Sequence, residues 1–432
     1  MSSALLIIER NERILSLLYQ DNRLVQVKVH EDNLNKQNLN KQNSEAGEDK
    51  SSSLPLHAIY IGKVKNVVPS IDAAFVEVEK GKMGFLPMKQ AKNPIIVNRK
   101  YDGRIVAGDE ILVQIEKEGI KTKEPGLTCN LSFTGKYCVL TTGKFGVGFS
   151  SKLDKNTKTH LKETLDDWKI EELLQKEKVC VVVRTNVVSL IEENCELQSS
   201  DVANSEECRF EEINGLKEEF EKLLEQKNKV LCVVPYRTCF SCLYQPMEGY
   251  LADIRDTYED SFDKIITNKE EIYHRIREEF PTLGNVELYE DFRIPLEKLY
   301  SVETRLKEAL DEKVWLKSGA YLVIQQTEAL TVIDVNSGKI QKKNSKDDIY
   351  FEINKEAARE IALQLRLRNL SGIIIIDFIS QNTKEQDSEL LSYLSGLAKR
   401  DSVKTHVVDM TPLGLVEVTR KKIHKSLREQ LM

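Results

Sequence analysis

Two apolar runs, far apart in the chain, constrain its folding more than any other feature: residues 329–336 (ALTVIDVN) and 372–379 (GIIIIDFI). Each is rich in β-branched residues and of strand length. Each carries one carboxylate, Asp334 and Asp377, where the strand pattern runs out. An ionised carboxylate deep in an apolar sheet is costly unless it is paired or bound to metal. Side chains alternate with period two, so Asp334 and Asn336 share one face of their strand. If the two runs are neighbours, Asp334, Asn336 and Asp377 converge on one spot. Two carboxylates and an amide oxygen are hard donors that suit Mg2+, which keeps few protein ligands, several waters and a phosphate. The other reading is that each Asp simply ends a strand at a turn. Spacing alone leaves both open.

Composition narrows the class. A chain of 432 residues has room for about three domains. Its net charge of −6 excludes a protein that is basic throughout, so nucleic-acid binding has to rest on local patches. No run reaches the ~18 apolar residues of a membrane helix, and the apolar start at Ala4 meets Glu9 and Arg10 at once, unlike a secretory leader. Eight scattered cysteines fit free thiols in a reducing cytoplasm.

Taken in order, residues 5–29 read as two or three short strands with turns at Arg10-Asn11-Glu12 and Asp21-Asn22. Residues 31–53, with a tandem NLNKQ, read as a flexible loop. From residue 57, short alternating strands with Gly and Pro punctuation suggest a small barrel. Phe75 and Phe85 lie on successive strands with Lys63, Lys65 and Lys82 around them. By pattern, both Phe read first as core residues and second as a platform on which RNA bases stack. Residues 161–177 (LKETLDDWKIEELLQKE) read as helical, VCVVVRTN as a strand ending in Arg184-Thr185. Gly143, Gly146 and Gly148 read as a plain turn rather than an anion loop. A helix from about residue 205 places Phe210, Ile213, Leu216, Phe220, Leu223 and Leu224 on one face. The lone Cys239-Phe-Ser-Cys242 lacks the second ligand pair of a structural zinc site and reads as incidental thiols. A hairpin turning near Thr327-Glu328 carries Asp334 on its second arm. Residues 351–370 form an amphipathic helix with Ile353, Ala357, Ile361 and Leu365 inward, leaving Arg359, Arg366 and Arg368 off that stripe, where they read first as solvated surface and second as charges for RNA phosphates. A helix over 389–399, the run THVVDM and a last helix over 420–431, basic at its start, close the chain.

The segments IDVNSGK, EAAREIALQLRLRNLSGIIIIDFI and VDMTPLGLVEVTRKK, in that order, resemble the catalytic half of the ribonuclease E/G family, and the likeness runs back to IIERNERI. The resemblance implies an α+β multidomain fold. An RNase H-like domain (1–54 and 230–300) would carry an inserted OB-fold barrel (55–130) and a 5′-sensor region (131–229). A DNase I-like α/β catalytic sandwich (301–432) would follow. It implies that Asp334, Asp377 and Asn336 hold a catalytic Mg2+, with Asp334 and Asp377 the catalytic pair. It places RNA contacts on Phe75, Phe85 and Lys123, and 5′-phosphate contacts on Gly135, Val139, Arg184 and Thr185. A family arginine late in the chain aligns with Lys404, which keeps the charge but not the fork, so end-sensing is expected to be weaker. Larger relatives carry a zinc-linking cysteine pair and a scaffold tail beyond this point. Here neither is expected, nor zinc, and a homodimer would form without that link. The implied activity is internal cleavage of single-stranded RNA by Mg2+-activated water, leaving a 5′-phosphate and a 3′-hydroxyl, in cytoplasmic processing of ribosomal RNA and decay of messenger RNA. A non-catalytic single-stranded RNA-binding factor and a nuclease acting on DNA are the alternatives.

Overall fold

The opening strands turn on residues that tolerate a left-handed backbone. Asn11, Asp21 and Asn22 have φ of 51°, 48° and 61°, a region that Asn and Asp enter at little cost. The strands Ser3–Arg10, Arg13–Gln20 and Arg23–Glu31 therefore form an antiparallel meander, as the sequence suggests. The computed structural model describes residues 3–11, 13–31, 54–119, 123–188, 190–191, 214–256, 262–281, 283–291, 293–338, 346–381 and 383–431. The loop expected over 31–53 lies outside these residues apart from Glu31, which ends a strand, and so do Phe210 and Ile213. The chain forms two compact units: Met1–Ser44 with Gly249–Asp253 and Glu259–Met432, and Glu45–Glu248 with Ile254–Tyr258.

In the first unit, Lys264–Thr267 pairs parallel to Ser3–Arg10, and Val286–Leu288 parallel to Lys264–Thr267. The result is a five-stranded mixed sheet. Its apolar residues Leu6, Ile8, Leu15 and Leu17 cluster with Val302 and Leu306 of the helix Val302–Leu310.

The same unit holds a six-stranded sheet in the order Lys313–Trp315, Tyr321–Gln326, Leu330–Asn336, Gly372–Asp377, Leu415–Arg420, Thr405–Met410. The expected hairpin closes where Thr327 Oγ1 donates to the Leu330 carbonyl at 2.8 Å. The long helix Lys346–Leu367 then carries the chain over to a parallel partner, Gly372–Asp377, the connection such a pair needs. Ile353, Ala357, Ile361 and Leu365 are buried, as their spacing requires. Together with Leu390 and Leu394 of the helix Lys384–Ala398 they cover one face of the sheet: Leu322, Ile324, Ile333, Val335, Ile374, Ile376, Val416 and Val418. Each such side chain contributes about 1.5–3 kcal/mol on burial. On the opposite face, Val332 and Ile373 remain exposed.

Two arginines depart from the sequence reading. Arg368 is buried, not presented for phosphates. It donates to Gln364 Oε1 and to the Asp311 carbonyl, both at 2.6 Å. Arg420 does not start a helix: it ends the strand Leu415–Arg420, and the last helix is Leu427–Leu431. Its guanidinium is buried against Asp401 (2.7 Å), Asn369 Oδ1 (2.7 Å) and the Leu370 carbonyl (3.0 Å). Arg359 stays exposed and donates to the Tyr393 hydroxyl at 2.8 Å.

In the second unit, Ile59–Val68, Ala73–Glu79, Lys82–Pro87, Gly126–Thr128 and Glu110–Lys117 pair in that cyclic order, so that Ile59–Val68 meets Glu110–Lys117 and the barrel closes. Cys242–Tyr244 adds to the first of these strands. The interior is tight: a Cβ on Gly62 would lie 2.6 Å from Val76 Cγ1, and one on Gly84 2.6 Å from Leu127 Cδ1. A second sheet, Gly146–Phe149, Val179–Val183, Cys138–Thr142 and Ser132–Thr134, shares one core with the helices Lys155–Asp167, Ile170–Glu177 and Asn214–Val233. The helical stretch expected over 161–177 is thus two helices, broken at Lys169 (φ 51°). Among the described residues no helix is long and apolar enough to cross a membrane.

Removing one partner of a buried ion pair strands the other charge, at a cost of about 3–5 kcal/mol. Arg420→Ala is therefore expected to lower the denaturant midpoint of the unit that contains Asp401. The check is equilibrium unfolding. A midpoint unchanged from wild type contradicts the role given to this pair.

Candidate functional site

The residues singled out from the two apolar runs meet. Asp334 and Asp377 are register partners across the parallel pair, so their Cα atoms are about one strand spacing apart, ~5 Å. Ile333 and Ile376, one residue earlier, are also partners, and both are fully buried. By alternation, Asp334, Asn336 and Asp377 point to the other, open face. Asn336 donates Nδ2–H to Asp334 Oδ2 at 2.7 Å and so fixes that carboxylate's orientation. Asp334 is half-buried and Asp377 exposed. Asp377 also ends its strand, as the turn reading has it, but it does so beside Asp334.

The donor set suits a hard divalent ion. Among the described residues no three His, Cys, Asp or Glu side chains form a metal-holding group. Two carboxylates and an amide leave the remaining positions to water and an anionic ligand, which is how Mg2+ is usually held. Cys239 and Cys242 are oriented to backbone, with Sγ donating to the carbonyls of Ile61 (3.8 Å) and Tyr244 (3.5 Å).

Sequence reasoning missed the residue that steadies the Asp377 strand. Asn354, fully buried on the helix Lys346–Leu367, donates to the Ile379 carbonyl (2.7 Å) and accepts from the Ile379 amide (3.1 Å). This clamp lies two residues beyond Asp377. Glu356, on the same helix, accepts from the amides of Lys317 (2.8 Å) and Ser318 (3.3 Å), ahead of Tyr321–Gln326. A polar residue inside the Ile353–Ala357–Ile361 stripe was the available signal for Asn354.

On the barrel, Phe75 and Phe85 are register partners with ring centroids 5.7 Å apart. The core takes Ala74, Val76, Val78 and Leu86 instead. The two rings therefore lie half-buried on the outer surface, and the core reading of them fails. Lys123 is exposed, two residues before Pro125, whose carbonyl accepts from the Phe85 amide at 2.8 Å. Lys65 and Lys82 are paired with Glu77 (2.7 Å) and Glu79 (2.8 Å).

Around Gly135 the structure holds an anion of its own. The amides of Lys136, Tyr137 and Cys138 donate to the Glu219 carboxylate at 2.5, 2.7 and 2.9 Å. Successive backbone N–H groups converging in this way form an anion nest. Glu219 fills it so closely that a Cβ on Gly135 would lie 2.3 Å from Glu219 Cδ. Arg184 Nη1 donates to the Gly135 carbonyl and to Asp256 Oδ1 (2.8 Å). Burial pushes the Asp256 carboxyl up, but the Arg184 and Arg255 guanidinium groups outweigh this and hold it below the usual carboxylate range. This pairing is thus in place at neutral pH and is lost only as pH falls through that depressed value. Thr185 Oγ1 lies 3.1 Å from Ser150 Oγ, and Val139 sits on the strand Cys138–Thr142. Lys404 is exposed and belongs to the other unit.

The family model described as Ribonuclease E/G family matches residues 132–423. Ribonuclease G of Salmonella typhimurium (strain SL1344) is 31% identical over 393 residues, 86% of this chain and 74% of that protein. Ribonuclease G of Escherichia coli (strain K12) is 31% identical over 388 residues, with the same shares. Ribonuclease E of Synechocystis sp. is 29% identical over 382 residues, 86% of this chain and 53% of its own length.

Asn354→Ala strips the Ile379 amide of its side-chain partner and leaves the Ile379 carbonyl with Gln381 Nε2 alone (2.9 Å), at about 1–3 kcal/mol. Denaturant unfolding is expected to show a loss of that size. No change in midpoint would contradict the clamp.

Proposed function

The chain belongs to the ribonuclease E/G family, a family of endoribonucleases, and we propose that it cuts single-stranded RNA internally with Mg2+ at Asp334 and Asp377. The observation that carries this reading is the register of those two residues on the open sheet face. The two carboxylates hold the ion, and Asn336 keeps Asp334 turned towards it. When bound, Mg2+ supplies Lewis-acid polarisation of the scissile phosphate and a water of lowered pKa for in-line displacement, leaving a 5′-phosphate and a 3′-hydroxyl. Asn354 holds the backbone beyond Asp377, so the pair keeps its spacing. Phe75 and Phe85 offer ring surface on which successive bases stack, and Lys123 offers a charge to the backbone of the same strand. On this reading residues 301–432 act as the DNase I-like catalytic domain, residues 55–130 as the OB-fold, and 1–54 with 230–300 as an RNase H-like support, although residues 230–248 lie in the barrel's unit, where Cys242–Tyr244 extends its sheet.

The 5′-end reading is weak in this chain. Gly135, Val139, Arg184 and Thr185 are the expected phosphate contacts, but Glu219 already takes the backbone donors beside Gly135. Arg184 is tied to Asp256. A phosphate would have to displace a carboxylate that accepts three hydrogen bonds.

Two outcomes are expected. Asp334→Asn lowers cleavage of a single-stranded RNA by at least about 10²–10³-fold, the loss that removing one charge-stabilising group causes, while RNA affinity is nearly unchanged. Full activity in that variant with added Mg2+ sinks the assignment. Rates on 5′-monophosphorylated and 5′-triphosphorylated RNA differ by less than tenfold (~1.4 kcal/mol), and Glu219→Ala widens the gap in favour of the monophosphate. A wild-type preference well above tenfold contradicts the plugged nest.

A further inference from the structure

The open sheet face carries an aromatic pair that packing does not explain. In cross-strand register, Trp315 faces Tyr321, and Tyr321 faces Asn336. One row along, Lys313 faces Val323, Val323 faces Asp334, and Asp334 faces Asp377. Leu322 and Val335, between these rows, are buried on the helix-covered side. Trp315, Tyr321 and Lys313 therefore share the open face with the carboxylate pair. Trp315 lies about two strand spacings, ~10 Å, from Asn336.

Trp315 is 63% exposed, an unusual position for the largest apolar side chain. It is not loose, however. Its ring lies 5.2 Å from that of Tyr321 at 57°. The Lys313 ammonium is 4.0 Å from the Trp315 centroid and 3.7 Å from the Tyr321 centroid. One cation shared by two rings holds both in place. Ring surface fixed in advance binds a planar partner without the ordering cost a mobile side chain incurs.

Resting on the nuclease reading, we propose that Trp315, braced by Tyr321 and Lys313, is a positioning subsite that stacks the base of a nucleotide flanking the scissile phosphate, with Lys313 meeting its backbone. The chemistry recognised is an unpaired nucleobase beside an anionic backbone. Every base has a π-face, so the subsite selects single-stranded character rather than sequence. It holds the strand in register with Asp334 and Asp377.

The chain has two tryptophans, Trp168 and Trp315, so in a Trp168→Phe protein all indole emission reports on this position. Titrating that full-length protein in EDTA with a single-stranded RNA decamer is expected to quench the emission saturably. An abasic decamer of the same length should not quench. In the cleavage assay, Trp315→Ala is expected to raise KM by about 5- to 150-fold, the equivalent of the ~1–3 kcal/mol of one stacked base. kcat should stay within about twofold, and Trp315→Phe should recover most of the loss. RNA binding seen by anisotropy without quenching, together with an unchanged KM in Trp315→Ala, overturns the subsite and leaves the nuclease reading standing. Quenching that follows protein concentration instead of RNA makes the face a contact between two copies and also overturns it. Saturable quenching in a protein that never cleaves keeps the stacking site and removes the nuclease reading.

Discussion

The pairing of Asp334 with Asp377 across a parallel strand pair is the contact on which the proposed chemistry depends. It joins positions 43 residues apart, a separation that follows from the two residue numbers. It exists because a long helix, Lys346–Leu367, returns the chain to the same sheet in the same direction. Alternation does the rest. Burying Ile333, Val335, Ile374 and Ile376 under that helix forces the neighbouring carboxylates onto the opposite face. A slip of one residue in either strand would send one Asp into the core and an isoleucine to solvent. The apolar packing thus enforces the geometry of the polar site.

Much of this was legible beforehand because it rests on local rules. Period-two runs of β-branched residues gave the strands, and the 3.6-residue stripe gave the helix above them. Asn and Asp at left-handed positions gave the turns of the first meander. What escaped were contacts that no period encodes. Arg368 read as a surface charge and Arg420 as the start of a helix, yet both are buried in hydrogen-bond networks built by distant residues such as Asp311 and Asp401. Phe75 and Phe85 read first as core. Their strands also carry small residues, Ala73, Ala74 and Gly84, that let the barrel close without them.

The Glu219 contact shows how a backbone anion nest can be filled from within the chain. The loop at Gly135–Cys138 gathers amides towards one point, and Arg184 lies alongside. A carboxylate from the helix Asn214–Val233 supplies the anion internally. Three donors on one carboxylate make a strong anchor, which ties that helix to the four-stranded sheet.

The central claim is that two carboxylates grip one divalent ion. Mn2+ in place of Mg2+ makes it directly observable, because free and bound Mn2+ differ in their paramagnetic resonance spectra. Titration of the wild-type chain should reveal a bound ion that both Asp334→Asn and Asp377→Asn abolish, each alone. Retention of that ion by either variant at wild-type affinity would contradict a shared site.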